Sequence, residues 1–123
     1  MKKQRLNQLS ISELASVFRA SALQQDHCLL MDDIAGYNKL YRKMEAIKAE
    51  LSARPTDERR SLLPLIDDDN PQVRLKAAIA CAAIAPERSR AALESLSSQT
   101  NLPQSLNAGM FLSSLDEGKF VPT

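Results

Sequence analysis

The sequence predicts an all-α chain, a right-handed stack of about three helical hairpins, on three observations. Glycine is scarce, with 3 residues, whereas alanine with 16 and leucine with 18 dominate the 123 residues, a composition that favours helix. Apolar residues recur at spacings of three and four, and no stretch shows the period of two that a half-buried strand requires. Prolines and short polar breaks then cut the chain into lengths suited to paired helices.

Residues 1–10, with Lys2, Lys3 and Arg5, are expected to be a flexible basic N-terminal tail, and residues 11–123 a single helical domain. A first helix starts at Ser10 or Ser12, where a cap hydroxyl precedes Glu13 at the positive end of the helix dipole. Leu14, Val17, Phe18 and Leu23 form its inner face. The polar break Gln24-Gln25-Asp26 leaves its end open, either there or through Leu30. A second helix, Asp32 to Ala53, carries Tyr37, Leu40, Met44, Ile47 and Leu51 at alternating spacings of three and four, with Leu30, Ile34 and Tyr41 widening the stripe. At 100° per residue the apolar arc spans about 140°, too broad for a coiled-coil seam and suited to a globular core. Pro55 ends the helix by disfavouring helical geometry at Arg54.

Thr56 caps a short third helix bearing Leu62, Leu63, Leu65 and Ile66, which stops at Asp67-Asp68-Asp69. Asn70-Pro71 opens a fourth, a cap residue followed by a proline whose missing N–H costs nothing at the first helical position. This helix runs to about Ala85 and is apolar nearly all round after Lys76, so neighbours must cover it on more than one side. Pro86 closes it and opens a fifth helix to Ser98, with Ala92, Leu93 and Leu96 inward. A sixth follows Pro103, bearing Leu106, Met110, Phe111 and Leu115, and Gly118 ends it. Phe111, Leu112, Phe120 and Val121 either dock on the last hairpin or form a self-association patch.

Pro71-Gln72 and Pro103-Gln104 recur 32 residues apart, and an offset of 33 aligns Leu63 with Leu96, Val73 with Leu106 and Ala77 with Met110. Self-similarity at this period is the mark of a stacked solenoid, whose hairpins bury their apolar faces only against one another. The segment Leu62-Leu63-Pro64-Leu65-Ile66-Asp67-Asp68-Asp69-Asn70-Pro71-Gln72-Val73-Arg74-Leu75-Lys76-Ala77-Ala78 resembles a HEAT repeat: an apolar helix, an acidic turn, then Pro-x-Val-Arg opening an alanine-rich helix. Ala77, Ala78, Ala80, Ala82 and Ala83 permit close helix approach, and Arg74 can reach back to the acidic turn.

Further motifs narrow the resemblance. Tyr37-Asn38-Lys39-Leu40-Tyr41, Met44-Glu45-Ala46-Ile47, Glu50-Leu51, Asp69-Asn70-Pro71-Gln72-Val73-Arg74-Leu75-Lys76-Ala77-Ala78, Ala85-Pro86-Glu87, Ala108-Gly109-Met110 and Leu115-Asp116-Glu117-Gly118-Lys119-Phe120 together resemble the small bacterial proteins grouped as "domain of unknown function 2019". The likeness covers about residues 10 to 123. It departs at Asn107, where the family pattern often carries an acid. It implies a HEAT/armadillo-type α-α superhelix in a bacterial cytoplasm, and it implies no activity.

The chemistry-bearing inventory is thin. The longest apolar run, Ala77 to Ala85, is under half of the ~18 to 20 residues a membrane span needs. No apolar core follows the basic start, so no secretory signal is expected and the chain reads as cytoplasmic. Cys28 and Cys81 are read as two reduced, buried small hydrophobes. His27 is the only histidine, so zinc lacks its three or four ligands, and neighbours on a helix point about 100° apart, poor geometry for a Cys–His pair. Asp67-Asp68-Asp69 lacks the spaced ligands of a calcium loop, and Gly36, Gly109 and Gly118 stand too far apart to cradle phosphate. Glu45/Glu50 and Asp32/Asp33 are read as solvated faces. No catalytic, cofactor-binding or metal site is therefore expected, and the chain is read as a non-enzyme.

A net charge of +1 and 4% aromatic residues argue against nucleic acid. The basic residues Lys39, Arg42 and Lys43, with Lys48 and Arg59-Arg60 downstream, still stand out. If second helices line one face of the stack, Lys39, Arg42, Lys43, Arg74 and Lys76 form a partner-binding face for an acidic protein or peptide. The expected role is a small protein–protein interaction module, antitoxin-like or immunity-like inhibition included, with homo-oligomerisation left open. The alternatives are weak nucleic-acid binding or an enzyme with an unrecognised site.

Overall fold

Ser10 opens the first long helix by the chemistry its sequence announces: its Oγ accepts from the Glu13 N–H at 3.0 Å, and the Glu13 carboxylate accepts from the Ser10 N–H at 2.9 Å. Two of the four orphan donors of the helix start are thereby satisfied. This helix, α1 (Ile11–Leu30), runs through the Gln24–Asp26 break to Leu30. The computed structural model describes residues 5–123; of the expected N-terminal tail, residues 1–4 lie outside the described residues. All regular elements among the described residues are helical, and they fall in two compact units, Met1–Ser61 and Leu62–Thr123.

In the first unit α1 packs against α2 (Ile34–Ala53). The connection is three residues long. Asp32 takes a left-handed φ of 53°, its N–H donates to the Leu29 carbonyl, and the Asp33 N–H reaches back to Cys28 at 2.9 Å. That pairing is a Schellman motif, which normally places glycine where Asp32 stands. Asp33 then caps α2 by accepting from Gly36 N–H at 2.9 Å. Leu14, Phe18 and Ala22 on α1 and Met44, Ile47 and Leu51 on α2 are buried, each large one contributing roughly 1.5–3 kcal/mol relative to exposure. The buried Gln25 amide donates to the Tyr37 carbonyl at 3.4 Å. Arg54 joins the end of α2 to a short 3-10 helix, Leu6–Gln8, by donating to the Leu9 and Leu6 carbonyls at 2.9 and 3.4 Å while pairing with Glu50 at 2.8 Å.

Two expected helices differ. Glu58–Asp67 is a 3-10 helix rather than an α-helix: Pro64 lies within it and has no N–H to give an i−4 carbonyl. Thr56 does not cap it, since its hydroxyl donates to the Glu58 carboxylate. The Asn70–Pro71 start holds, with the Asn70 carboxamide oxygen accepting from Gln72 and Val73 at 2.8 and 3.2 Å, but α3 (Pro71–Ala80) stops five residues short of Ala85. Residues 81–84 form turns, Ile84 donating to Cys81 at 3.1 Å, and Pro86 keeps Ala85 out of helical geometry, at φ −143° and ψ 64°.

In the second unit α4 (Pro86–Ser98) packs on both α3 and α5 (Gln104–Asp116), which also touch each other. Leu75, Ala78, Leu93, Leu96 and Ala108 form the core, flanked by Ile79, Ala92, Leu102, Phe111 and Leu112. The Pro-Gln recurrence has a structural counterpart: the buried Gln104 amide donates to Gln72 Oε1 at 2.9 Å. The 33-residue register does not carry over, since Val73 and Ala77 are buried whereas Leu106 and Met110 are exposed. The C-terminus meets α5 only in part, since Phe120 and Val121 remain exposed. Gly118 at φ 71° ends α5 in a second Schellman motif, and the Phe120 ring lies 5.3 Å from that of Phe111.

Candidate functional site

Helix α2 carries the main candidate. Lys39, Arg42 and Lys43 are exposed, and none has a hydrogen bond or ion pair among the described residues. The neighbouring charges are spoken for: Lys48 pairs with Glu45 at 3.5 Å and Arg54 with Glu50 at 2.8 Å. Arg59 forks onto the Asp57 carboxylate at 2.8 and 2.6 Å, and Arg60 meets Glu58 at 3.0 Å. The Arg59-Arg60 pair is therefore held by its own turn. Those bonds show in the acids: the Arg59 guanidinium holds Asp57 below the usual carboxylate range, and the Thr56 hydroxyl with Arg60 does the same for Glu58.

Arg74 and Lys76 belong to the other compact unit. Both are half-buried. The Arg74 guanidinium donates to the carbonyls of Asp68 and Asp69 at 3.2 and 3.4 Å, so it reaches the acidic turn through backbone oxygens rather than carboxylates. The expected five-residue face thus divides into three unpaired cations on α2 and two engaged ones on α3.

The apex of the α1–α2 hairpin adds a feature that the sequence reading missed. Leu29, Leu30, Met31, Ile34 and Tyr41 are exposed, although Leu30, Ile34 and Tyr41 were expected to widen the inner stripe. Both helices end here, so an apolar arc has no facing residue to cover it. A shallow depression of about 140 Å³ opens at the apex, lined by Cys28, Leu29, Asp32, Asp33, Ile34 and Tyr37. Cys28 is half-exposed rather than buried, its Sγ 3.9 Å from Asp33 Oδ2, whereas Cys81 is fully buried. The Glu45 carboxylate, with some burial, holds the Tyr41 phenol above its ordinary value. The breadth of the apolar arc was the available clue, because an arc wider than one neighbour can cover leaves its flank in water.

The remaining chemistry-bearing residues are dispersed. His27 is exposed. Asp67 pairs with Arg88 at 3.1 Å, and Asp68 accepts from the Asn70 N–H at 2.9 Å. Among the described residues no group of three or more His, Cys, Asp or Glu is placed to hold a metal ion, and no helix is long and apolar enough to cross a membrane.

Comparison with known proteins gives two matches. Residues 12–116 match the family model described as "Domain of unknown function (DUF2019)". The crystal structure of the protein RPA1889 from Rhodopseudomonas palustris CGA009 is 40% identical and superposes with a TM-score of 0.93, covering 98% of this chain and 100% of that one. No curated protein matches the sequence.

Proposed function

The chain belongs to the DUF2019 family, and from that premise we propose that it is a small, non-catalytic protein–protein interaction module of the cytoplasm, built as a HEAT/armadillo-type α-α superhelix. The observation that carries the interaction role is the solvent face of α2, where Lys39, Arg42 and Lys43 stand exposed without partners among the described residues, next to an exposed apolar apex. Unpaired cations beside apolar surface suit an acidic protein or peptide: charge guides encounter and register, and the apolar part supplies affinity. The buried Gln72–Gln104 bond supports the repeat reading, since it joins the two Pro-Gln positions that recur along the chain. A non-catalytic role is supported by the use already made of candidate acids, with Asp67 paired to Arg88, Glu45 to Lys48 and Glu50 to Arg54.

The test is an affinity pull-down from a lysate of the source cells, read by mass spectrometry at two salt concentrations. Wild type is compared with Lys39→Glu/Arg42→Glu/Lys43→Glu. A specific acidic protein retained by wild type, weakened by salt and lost in the variant is expected. Equal, empty profiles overturn the reading of this face.

A further inference from the structure

We infer that the hairpin apex and the solvent face of α2 pair with a second copy of this chain, α2 lying antiparallel to its counterpart across a two-fold axis near Asn38. This rests on the interaction reading above and names one partner for the same face.

The first support is apolar area. Leu30 is 81% exposed, Ile34 69% and Met31 66%, with Leu29 and Tyr41 at 43% each. Together they leave on the order of 500 Å² of apolar side chain in water, at the upper end for a monomer's largest patch and more than half of the ~800 Å² per partner of a standard stable interface.

Charge identifies the occupant. The Asp32 carboxylate has no hydrogen bond or ion pair among the described residues, and neither do Lys39, Arg42 and Lys43. Residues 33 and 43 stand five positions either side of Asn38, about 7 Å each way at 1.5 Å per residue. A two-fold axis there sets the Asp32-Asp33 end of one α2 against the Arg42-Lys43 stretch of the other, twice over, and leaves Lys39, one position from the axis and about a quarter turn from Asn38, at the solvent rim. Such self-complementarity is what an isologous interface needs. The outer face of α2 beyond that stretch carries small exposed residues, Ala46 and Ala49, which leave room for the approach of a second copy. An unrelated acidic partner would satisfy the cations but leave Asp32 and Asp33 facing like charge.

Sedimentation of the full chain from about 1 to 500 µM measures the monomer–dimer equilibrium directly. A dimer with a micromolar dissociation constant is expected. Ile34→Glu raises that constant by at least about tenfold, as do Arg42→Asp and Asp32→Arg singly, because each sets like charges or a buried acid in the contact. An equimolar mixture of the Arg42→Asp and Asp32→Arg chains regains wild-type affinity, since both contacts of the mixed pair then join opposite charges. That recovery also shows that both variants fold. A chain monomeric throughout the range, a dimer indifferent to Ile34→Glu, or a mixture no tighter than its components overturns the inference. A monomeric wild type that still retains a salt-sensitive acidic protein overturns self-pairing alone. A dimer with an empty lysate profile supports self-pairing and removes the outside partner.

Discussion

Replacing Gln104 by leucine removes the donor that meets Gln72 Oε1 at 2.9 Å, at a site where Gln72 is 1% and Gln104 3% exposed. The bond itself is worth about 1 kcal/mol net, and the acceptor left behind in a dry site adds a similar desolvation cost, so the single variant should lose about 2 kcal/mol. Gln72→Leu should lose a comparable amount, because it strands the Gln104 amide. The double variant, which replaces both polar ends by groups of similar size, should cost well below the sum, giving a coupling of about 2 kcal/mol. Other bonds that Gln72 makes cancel in such a cycle. Urea unfolding of the four proteins, followed by far-ultraviolet circular dichroism at constant slope, reads these differences. Single variants within ~0.5 kcal/mol of wild type, or a strictly additive double, would refute the idea that the recurring Pro-Gln pairs are joined through a specifying bond.

The two Schellman turns give opposite expectations at similar φ. Asp32→Gly should stabilise by about 0.5 kcal/mol, whereas Gly118→Ala, with nothing within 4 Å of the added Cβ, should destabilise by about 1 kcal/mol through φ alone; thermal midpoints moving the other way would contradict this. Arg54→Ala should cost about 1–2 kcal/mol and speed hydrogen exchange at residues 6–9, since it removes charge-assisted bonds to the Leu6 and Leu9 carbonyls. Stability should also fall in acid. Glu13, held below its ordinary 4.5 by the Ser10 N–H and hydroxyl, binds protons more weakly folded than unfolded, so its contribution is full above that value and is lost as pH falls through the lower folded value. Asp57 and Glu58 act in the same direction. Urea midpoints between pH 6 and pH 3 should fall less steeply for Glu13→Gln than for wild type.

Local chemistry was legible and reach was not. The start of α1, narrowed to Ser10 or Ser12, and the signals at Asn70-Pro71 and Pro86 could be read because a cap is made by residues within one turn of it. The inner seam Met44, Ile47, Leu51 could be read because it recurs over three turns. The stop of α3 at Ala80 could not, since Cys81-Ala82-Ala83 offers no breaker. Periodicity locates an apolar arc but not how far the neighbouring helix extends along it, and that is why Leu30 and Ile34 fall in the predicted stripe yet stand in water. The cations posed a different problem. Arg88 meets Asp67 21 residues earlier and Arg90 meets Asp116 26 residues later, pairings with no local signature. Which basic residues remain unpaired is consequently a property of the fold.

Unpaired charge also distinguishes the exposed apolar clusters from one another. The C-terminal Phe120 lies against Phe111 and is only partly covered, and the cation beside it, Lys119, is already paired with Glu117 at 2.8 Å. Leu106 and Met110 are exposed on α5, but residues 104–115 hold no ionisable side chain, so nothing there fixes the register or chemistry of a covering surface. At the α1–α2 apex the exposed apolar residues flank Asp32, whose carboxylate has no partner among the described residues, and Ile34 and Tyr41 share α2 with Lys39, Arg42 and Lys43, which have none there either. Water already solvates those charges, so they add little to the stability of the lone chain. Their effect is on choice: they favour one antiparallel alignment of the apolar surface and oppose the parallel one, which would set acid against acid and cation against cation.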